Sequence, residues 1–257
     1  MKTSRPITHT LGYPRIGEKR ELKKATEAYW AGKLSASKLE ETGRQLRHQN
    51  WLVQKEAGID LIPSNDFSFY DQMLDLTCLV GNVPSRYGWK GGTVDLDTRF
   101  LVARGVAPQT TAPIANNGCT CETCQPVAQT YASEMTKWFD TNYHYLVPEF
   151  RADTRFSLSS TKPFDEFSEA KSLGIHTKPI LIGPVTYLKL GKAQDASAPT
   201  FDRLQLLPQL LSVYSVILQT FASLGATWVQ LDEPIFSLDL SSDEKAALNH
   251  AYATLSS

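Results

Sequence analysis

Lys178-Pro179-Ile180-Leu181-Ile182-Gly183-Pro184-Val185-Thr186 reads as a buried strand that ends at Gly183 and hands over to a polar turn. The chain beyond it repeats the theme. Residues 201–224 form a long apolar run with helical spacing, Gly225 stops it, and residues 228–231 are strand-like again. Pro208 is expected to bend or interrupt that helix. Before the stretch, residues 163–173 read as a short helix closed by Gly174. Strand, helix, strand in this order implies parallel strands covered by helices, an α/β fold.

The same alternation runs back to the start. Residues 8–13 are a strand candidate, and 18–30 a helix with Leu22, Ala25, Tyr29 and Trp30 on one face. Residues 37–57 form a second helix, with Leu39, Leu46 and Val53 seven apart and Gly58 as its stop. A compact strand follows at 59–63, and Asn65 and Asp66 open a helix through Met73 and Leu76. From 81 to 129 Gly, Pro, Asn and Thr accumulate, which reads as long loops around one helical piece at 96–104. Order returns at 132–140, with an aromatic strand at 142–150, and a final helix at 243–255 is capped by Ser242. About five strand–helix units result. Periodicity leaves two architectures open: a doubly wound sheet, or a (β/α)8 barrel that five units do not complete.

Composition narrows the function. The 257 residues carry 42% hydrophobic and 21% charged side chains and a net charge of −1, which argues against a dedicated nucleic-acid binder. No run of 18 apolar residues is present; the best, 206–218, is broken by Pro208, Gln209, Ser212 and Ser215. Residues 1–10 lack the apolar core of a signal peptide, and four cysteines are too few for a disulfide scaffold. A cytoplasmic protein without membrane or nucleic-acid partners is the expectation.

Polar residues recur just after the strands: Pro14-Arg15, Asn65-Asp66, Tyr143-His144, Pro184 to Thr186, and Asp232-Glu233. In parallel α/β folds that edge holds the ligand. The first of these loops leads into Arg20 and Lys23, which share a face at a helix start, where cations oppose the dipole unless an anion binds. The alternative is a solvated face with Glu27 pairing Lys23 or Lys24. Cys119, Cys121 and Cys124 could ligate zinc with Cys78 or a histidine as fourth ligand, or lie in a plain loop. Asp232 and Glu233 should point to opposite faces, either with one toward the site and the other in a cap or ion pair, or with both purely structural. His144, between two tyrosines, reads more readily as a hydrogen-bonded core residue than as a catalyst. There is no Gly-rich phosphate loop, GxSxG or HExxH.

Several segments together resemble the cobalamin-independent methionine synthase family. They are Gly12-Tyr-Pro-Arg-Ile-Gly17, Arg20-Glu-Leu-Lys23, Ala28-Tyr-Trp-Ala-Gly32, Ile62-Pro-Ser-Asn-Asp-Phe67, the block from Met135 to Tyr145, Ile182-Gly-Pro-Val-Thr186 and Gln230-Leu-Asp-Glu-Pro234. The resemblance implies a methyltransferase that moves the methyl group of 5-methyltetrahydropteroyltri-L-glutamate to L-homocysteine, giving L-methionine, with zinc and without cobalamin. It implies two (β/α)8 barrels, of which residues 1–257 would be the amino-terminal, tail-binding one, truncated. The catalytic barrel, with the zinc and the homocysteine site, would be absent here, so no catalytic or metal-binding residue is expected in this chain, and the full-length protein is expected to be a monomer. The family's contacts to the triglutamate tail carry over onto Arg20, Glu21, Leu22, Lys23 and Lys137. The stretch 107–130, with its cysteines, looks longer than the family's and should not be read as its zinc site. Two other readings remain open: a stand-alone module that binds folates or other polyanions without catalysis, and a self-contained barrel enzyme using Asp232, Glu233 and His144.

Overall fold

The computed structural model describes residues 5–105, 130–194 and 201–256. Two helices open it, α1 (Glu21–Trp30) and α2 (Ala36–Glu56), packed against each other. Leu22 of α1 meets Leu46 and Phe67 in one buried cluster. Leu39 and Leu46 are buried as expected, but Val53 is half exposed and Trp51 and Gln54 face inward instead. A helix drifts about 20° per seven residues, so a seven-residue spacing walks off the buried face.

The next elements are β1 (Ile62–Ser64), α3 (Gln72–Leu79) and α4 (Leu96–Arg104). Asp71, rather than Asn65 or Asp66, starts α3: its Oδ1 accepts the N–H groups of Met73 (2.7 Å) and Leu74 (3.0 Å). The segment read as one aromatic strand at 142–150 is split. A hairpin of β2 (Met135–Lys137) and β3 (His144–Leu146) comes first, and β4 (Glu149–Phe150) follows Pro148, which has no N–H for a ladder. Then come α5 (Lys162–Ser172), β5 (Thr177–Ile182), α6 (Pro184–Leu190), β6 (Lys192–Ala193), α7 (Leu207–Leu224), β7 (Gln230–Asp232) and α8 (Ser242–Leu255), with β4 and β6 paired in parallel.

Pro208 does not bend α7. It sits in the first turn, where a missing N–H costs nothing, and a 3-10 turn at Arg203–Leu206 precedes it. Together these 22 residues are long and apolar enough to cross a membrane by length and composition. Their apolar stripe, Leu207, Leu210, Leu211, Tyr214, Ile217 and Phe221, is however almost fully buried in the main core. The cap of α8 is Ser241, not Ser242. Its hydroxyl accepts the Glu244 N–H and the Glu244 carboxylate accepts the Ser241 N–H, a reciprocal capping box. Ser241→Ala is expected to lower the unfolding free energy by about 0.5–2 kcal/mol in a urea titration.

The central sheet is parallel in the order β1-β5-β7, with Ile62 opposite Thr177 and Ile180 opposite Gln230. The first strand candidate contributes a single parallel bridge, His9 to Leu61, beside β1. Neighbours therefore follow chain order, without the reversal that marks a doubly wound sheet. The α/β character is as expected; among the described residues the sheet stays open and no closed barrel forms. One face packs on helices: Ile62 lies with Trp51, Ala170 and Ile175, and the Thr177 hydroxyl donates to Ser64 Oγ (2.8 Å). Alternation puts Lys178, Ile180, Ile182, Gln230 and Asp232 on the opposite face.

Candidate functional site

The loop at 12–17 is bracketed from several sides. Tyr13 N–H donates to Asp66 Oδ2 (2.8 Å), Asn50 donates to the Pro14 carbonyl (3.3 Å), and Arg15 donates to the Tyr70 carbonyl. Leu22 N–H donates to the Ile16 carbonyl (3.2 Å) and Arg20 N–H to that of Gly17 (3.1 Å), so the loop also sets where α1 begins. The helix starts at Glu21, later than residue 18, because 17–20 form a turn with Gly17 (φ 80°) and Arg20 (φ 59°) both left-handed. Glycine adopts that conformation freely, whereas in Arg20 it stores strain of order 1–3 kcal/mol.

The four residues at this helix start divide cleanly. Arg20 and Lys23 are exposed. Glu21 folds back, its Oε2 accepting the Lys19 N–H at 3.0 Å, and a Cβ at Gly17 would collide with it. Leu22 is 2% exposed and belongs to the core, so only its backbone could meet a ligand. Lys23 Nζ lies 3.7 Å from Glu27, the pairing named as an alternative. Both side chains are about half exposed, and such a pair contributes about 0–1 kcal/mol, too little to withhold the lysine from an anion.

Lys137 sits on β2, exposed, opposite His144. The hairpin is built on Trp138, which stacks edge-on against Tyr145 (5.5 Å) and Phe139 (5.3 Å) and donates its backbone N–H to the Tyr143 carbonyl (2.7 Å). At its other end Leu146 N–H donates to Asp71 Oδ2 (3.2 Å). Among the described residues no hydrogen bond or ion pair joins Lys137 to α1. His144 is exposed, its ring facing its own turn at the Asn142 carbonyl (3.2 Å), and so is neither core nor part of a catalytic set.

A cavity of about 370 Å³ opens at the carboxyl ends of the strands. Pro14, Asn65, Asp66 and Asp232 line it, four of the residues read from the strand ends. Burial pushes the carboxyl groups of Asp66 and Asp232 above their ordinary range. Asp232 and Glu233 part as expected. Glu233 turns away and caps α6, accepting the N–H groups of Val185 (3.1 Å) and Thr186 (2.7 Å) and the Tyr252 hydroxyl (3.2 Å). His144 does not line this cavity and Glu233 is committed to a cap, so among the described residues Asp232, Glu233 and His144 are not brought together around it.

Two features had little signal in the sequence. Lys178, only 5% exposed inside an apolar strand, contacts His9 Nδ1 and the Thr10 carbonyl (both 3.3 Å) and the Gln230 side chain, and burial lowers its pKa. A lone lysine in a buried strand is the cue that could have found it. An ionic network of Arg47, Asp75, Arg99, Lys162, Glu166 and Glu169 reaches the cavity, which Asp75 and Lys162 line. Lys162, Glu166 and Glu169 share one face of α5 at local spacing, but Arg47, Asp75 and Arg99 come from other helices and no local pattern brings them in.

The described residues offer no group of three or more metal-ligating side chains. Cys119, Cys121 and Cys124 lie outside them. Cys78, the suggested fourth ligand, is fully buried, and burial pushes its thiol up to about 12, the opposite of what a thiolate ligand needs.

A family model described as cobalamin-independent synthase, N-terminal domain, matches residues 7–257. A Caulobacter vibrioides protein named 5-methyltetrahydropteroyltriglutamate–homocysteine methyltransferase is 53% identical over 247 residues, covering 96% of this chain and 31% of that protein. Proteins of the same name from Saccharomyces cerevisiae (52% over 242 residues; 94% and 30%) and Salinibacter ruber (51% over 245 residues; 95% and 30%) are similar to a like degree. The chain thus spans under a third of the length of the curated relatives it matches.

Proposed function

This chain belongs to the cobalamin-independent synthase family, within its N-terminal domain, and from that premise we propose that it holds the polyglutamate tail of a folate for a methyltransferase. The reaction proposed for the whole protein is transfer of the methyl group of 5-methyltetrahydropteroyltri-L-glutamate to L-homocysteine, giving L-methionine. The parallel strands in chain order support a further part of the reading, that this segment contributes to a (β/α)8 barrel.

The observation that carries the proposal is the division of residues 20–23. Glu21 is turned onto its own backbone and Leu22 is buried, so of these four the helix start presents Arg20 and Lys23, with Lys19 and Lys24 exposed on either side. A triglutamate tail is a chain of carboxylates, and a helix N-terminus with outward cations suits it. Lys137 supplies a third cation from the hairpin. The role is positioning: holding the tail fixes where the methyl-bearing end of the folate can reach. Among the described residues there is no donor set for the zinc that the resemblance implies, so the role proposed for this chain contains no metal step.

Lys23→Ala combined with Lys137→Ala is expected to weaken triglutamate folate by about 5–30-fold in titration calorimetry, two exposed ion pairs' worth, and to leave monoglutamate folate nearly unchanged. Equal losses for both ligands would overturn the tail assignment.

A further inference from the structure

We propose that His144 is a further tail-binding residue, whose imidazolium joins Lys137 in holding a carboxylate and makes the grip on the tail proton-dependent. This rests on the tail-binding reading above and goes beyond it by adding a residue to the site and a pH dependence to the binding.

The register of the β2–β3 hairpin brings the two side chains together. Lys137 and His144 are partners across the ladder. Trp138 N–H donates to the Tyr143 carbonyl (2.7 Å) and Val147 N–H to that of Glu134 (2.8 Å), so those two pairs are hydrogen-bonded ones. Bonded and non-bonded pairs alternate along an antiparallel ladder. Lys137 and His144 therefore form a non-bonded pair, the kind with Cα atoms about 4.5 Å apart and side chains closest. Both stand on one face of the hairpin, and both are exposed. The opposite face, with Trp138 and Tyr145, packs on the main core.

One nitrogen of the ring is already committed. Nδ1 lies 3.2 Å from the Asn142 carbonyl, and a carbonyl only accepts, so Nδ1 carries a hydrogen. In the neutral ring Nε2 is then a bare lone pair, which repels a carboxylate. Protonation turns Nε2 into a charged donor beside the Lys137 ammonium. Two charges act on the ring from its own hairpin: Lys137 opposes the imidazolium, and exposed Asp140, in the turn, favours it. Among the described residues no hydrogen bond or ion pair brings a charged group of another element to the ring. A tail carboxylate set against the Lys137–His144 pair adds a negative charge. It binds the protonated ring better than the neutral one, and it raises the proton affinity of the ring by the same factor. Triglutamate binding therefore strengthens as pH falls through the range in which imidazoles take up a proton.

The test is titration calorimetry of triglutamate and monoglutamate folate on the 257-residue chain at about pH 8 and about pH 6. Triglutamate should bind about 2–5-fold tighter at the lower pH, one exposed charge pair's worth. The monoglutamate, with the same ring system, should change far less. His144→Gln, a polar replacement at an exposed position, should remove the difference between the two pH values. An NMR titration of the His144 ring in the unsubstituted chain reads the same linkage without a variant: saturating triglutamate should move its midpoint upward, and monoglutamate should not. A pH difference that survives in His144→Gln, or a midpoint that triglutamate leaves in place, while Lys137→Ala still weakens triglutamate, shows that His144 takes no part and leaves the tail reading standing. If Lys137→Ala has no effect on triglutamate binding, the tail reading fails, and the inference with it.

Discussion

Glu166→Ala is expected to lower the unfolding free energy by about 3–5 kcal/mol, the range for removing one member of a buried ionic network. Glu166 is 3% exposed. One carboxylate oxygen lies 3.1 Å from Lys162 and 3.6 Å from Arg47, and the other accepts the Asn65 N–H at 3.1 Å. Lys162 goes on to Asp75 (3.3 Å), Asp75 to Arg99, and Arg47 to Glu169 (2.6 Å), so three carboxylates balance three cations. Alanine leaves two cations short of a partner and a backbone N–H unpaired, in a place water reaches poorly. The damage should concentrate at the site. Asn65, at φ 59°, turns the chain out of β1, and its amide donates to the Ile180 carbonyl (2.7 Å), tying β1 to β5 beside the cavity. Urea unfolding at pH 7 measures the loss. A change below about 1 kcal/mol would mean the network is solvated in solution.

Gly183→Ala should cost about 2–4 kcal/mol, because the alanine methyl and the Glu233 carboxylate need the same space. The backbone of Gly183 is extended and any residue could adopt it. The obstacle is room: a Cβ there would collide with the Glu233 carboxyl group. Relief requires that carboxylate to leave the N–H groups of Val185 and Thr186 and the Tyr252 hydroxyl, which uncaps α6 and releases α8 from the end of β7. Glu233→Ala removes the same bonds by another route. The two substitutions should therefore be strongly non-additive, with Gly183→Ala costing little once Glu233 is alanine. Full additivity of the two unfolding free energies would show that the methyl group is accommodated elsewhere.

Much of the fold was legible because it rests on local pattern. The apolar run 178–182, the stripe of α7 and the left-handed Gly225 that ends it all follow from spacing and glycine stereochemistry. The carboxyl-end residues Asp66 and Asp232 were legible for a topological reason, since parallel strands deliver their following residues to one edge. Errors arose where the deciding contact is distant. Asp71 outcompetes Asn65 and Asp66 as a cap because Asn65 is drawn into the ionic network and Asp66 onto the Tyr13 N–H. The split between β3 and β4 is different in kind: it comes from Pro148, whose cost in a ladder is a local property. Lys137 comes only through resemblance to a family; spacing alone points to Arg20 and Lys23 and has no means of adding a hairpin residue more than a hundred positions away.

The central claim is that the outward cations of α1 and the β2–β3 hairpin hold the acidic tail of a folate. A crystal structure of the chain with 5-methyltetrahydropteroyltri-L-glutamate tests it most directly. The tail carboxylates should lie within ion-pair distance, about 4 Å, of Lys23 and Lys137, with Arg20 alongside. A tail found in the cavity beside Asp66 and Asp232, or anywhere that leaves those three side chains free, would contradict it.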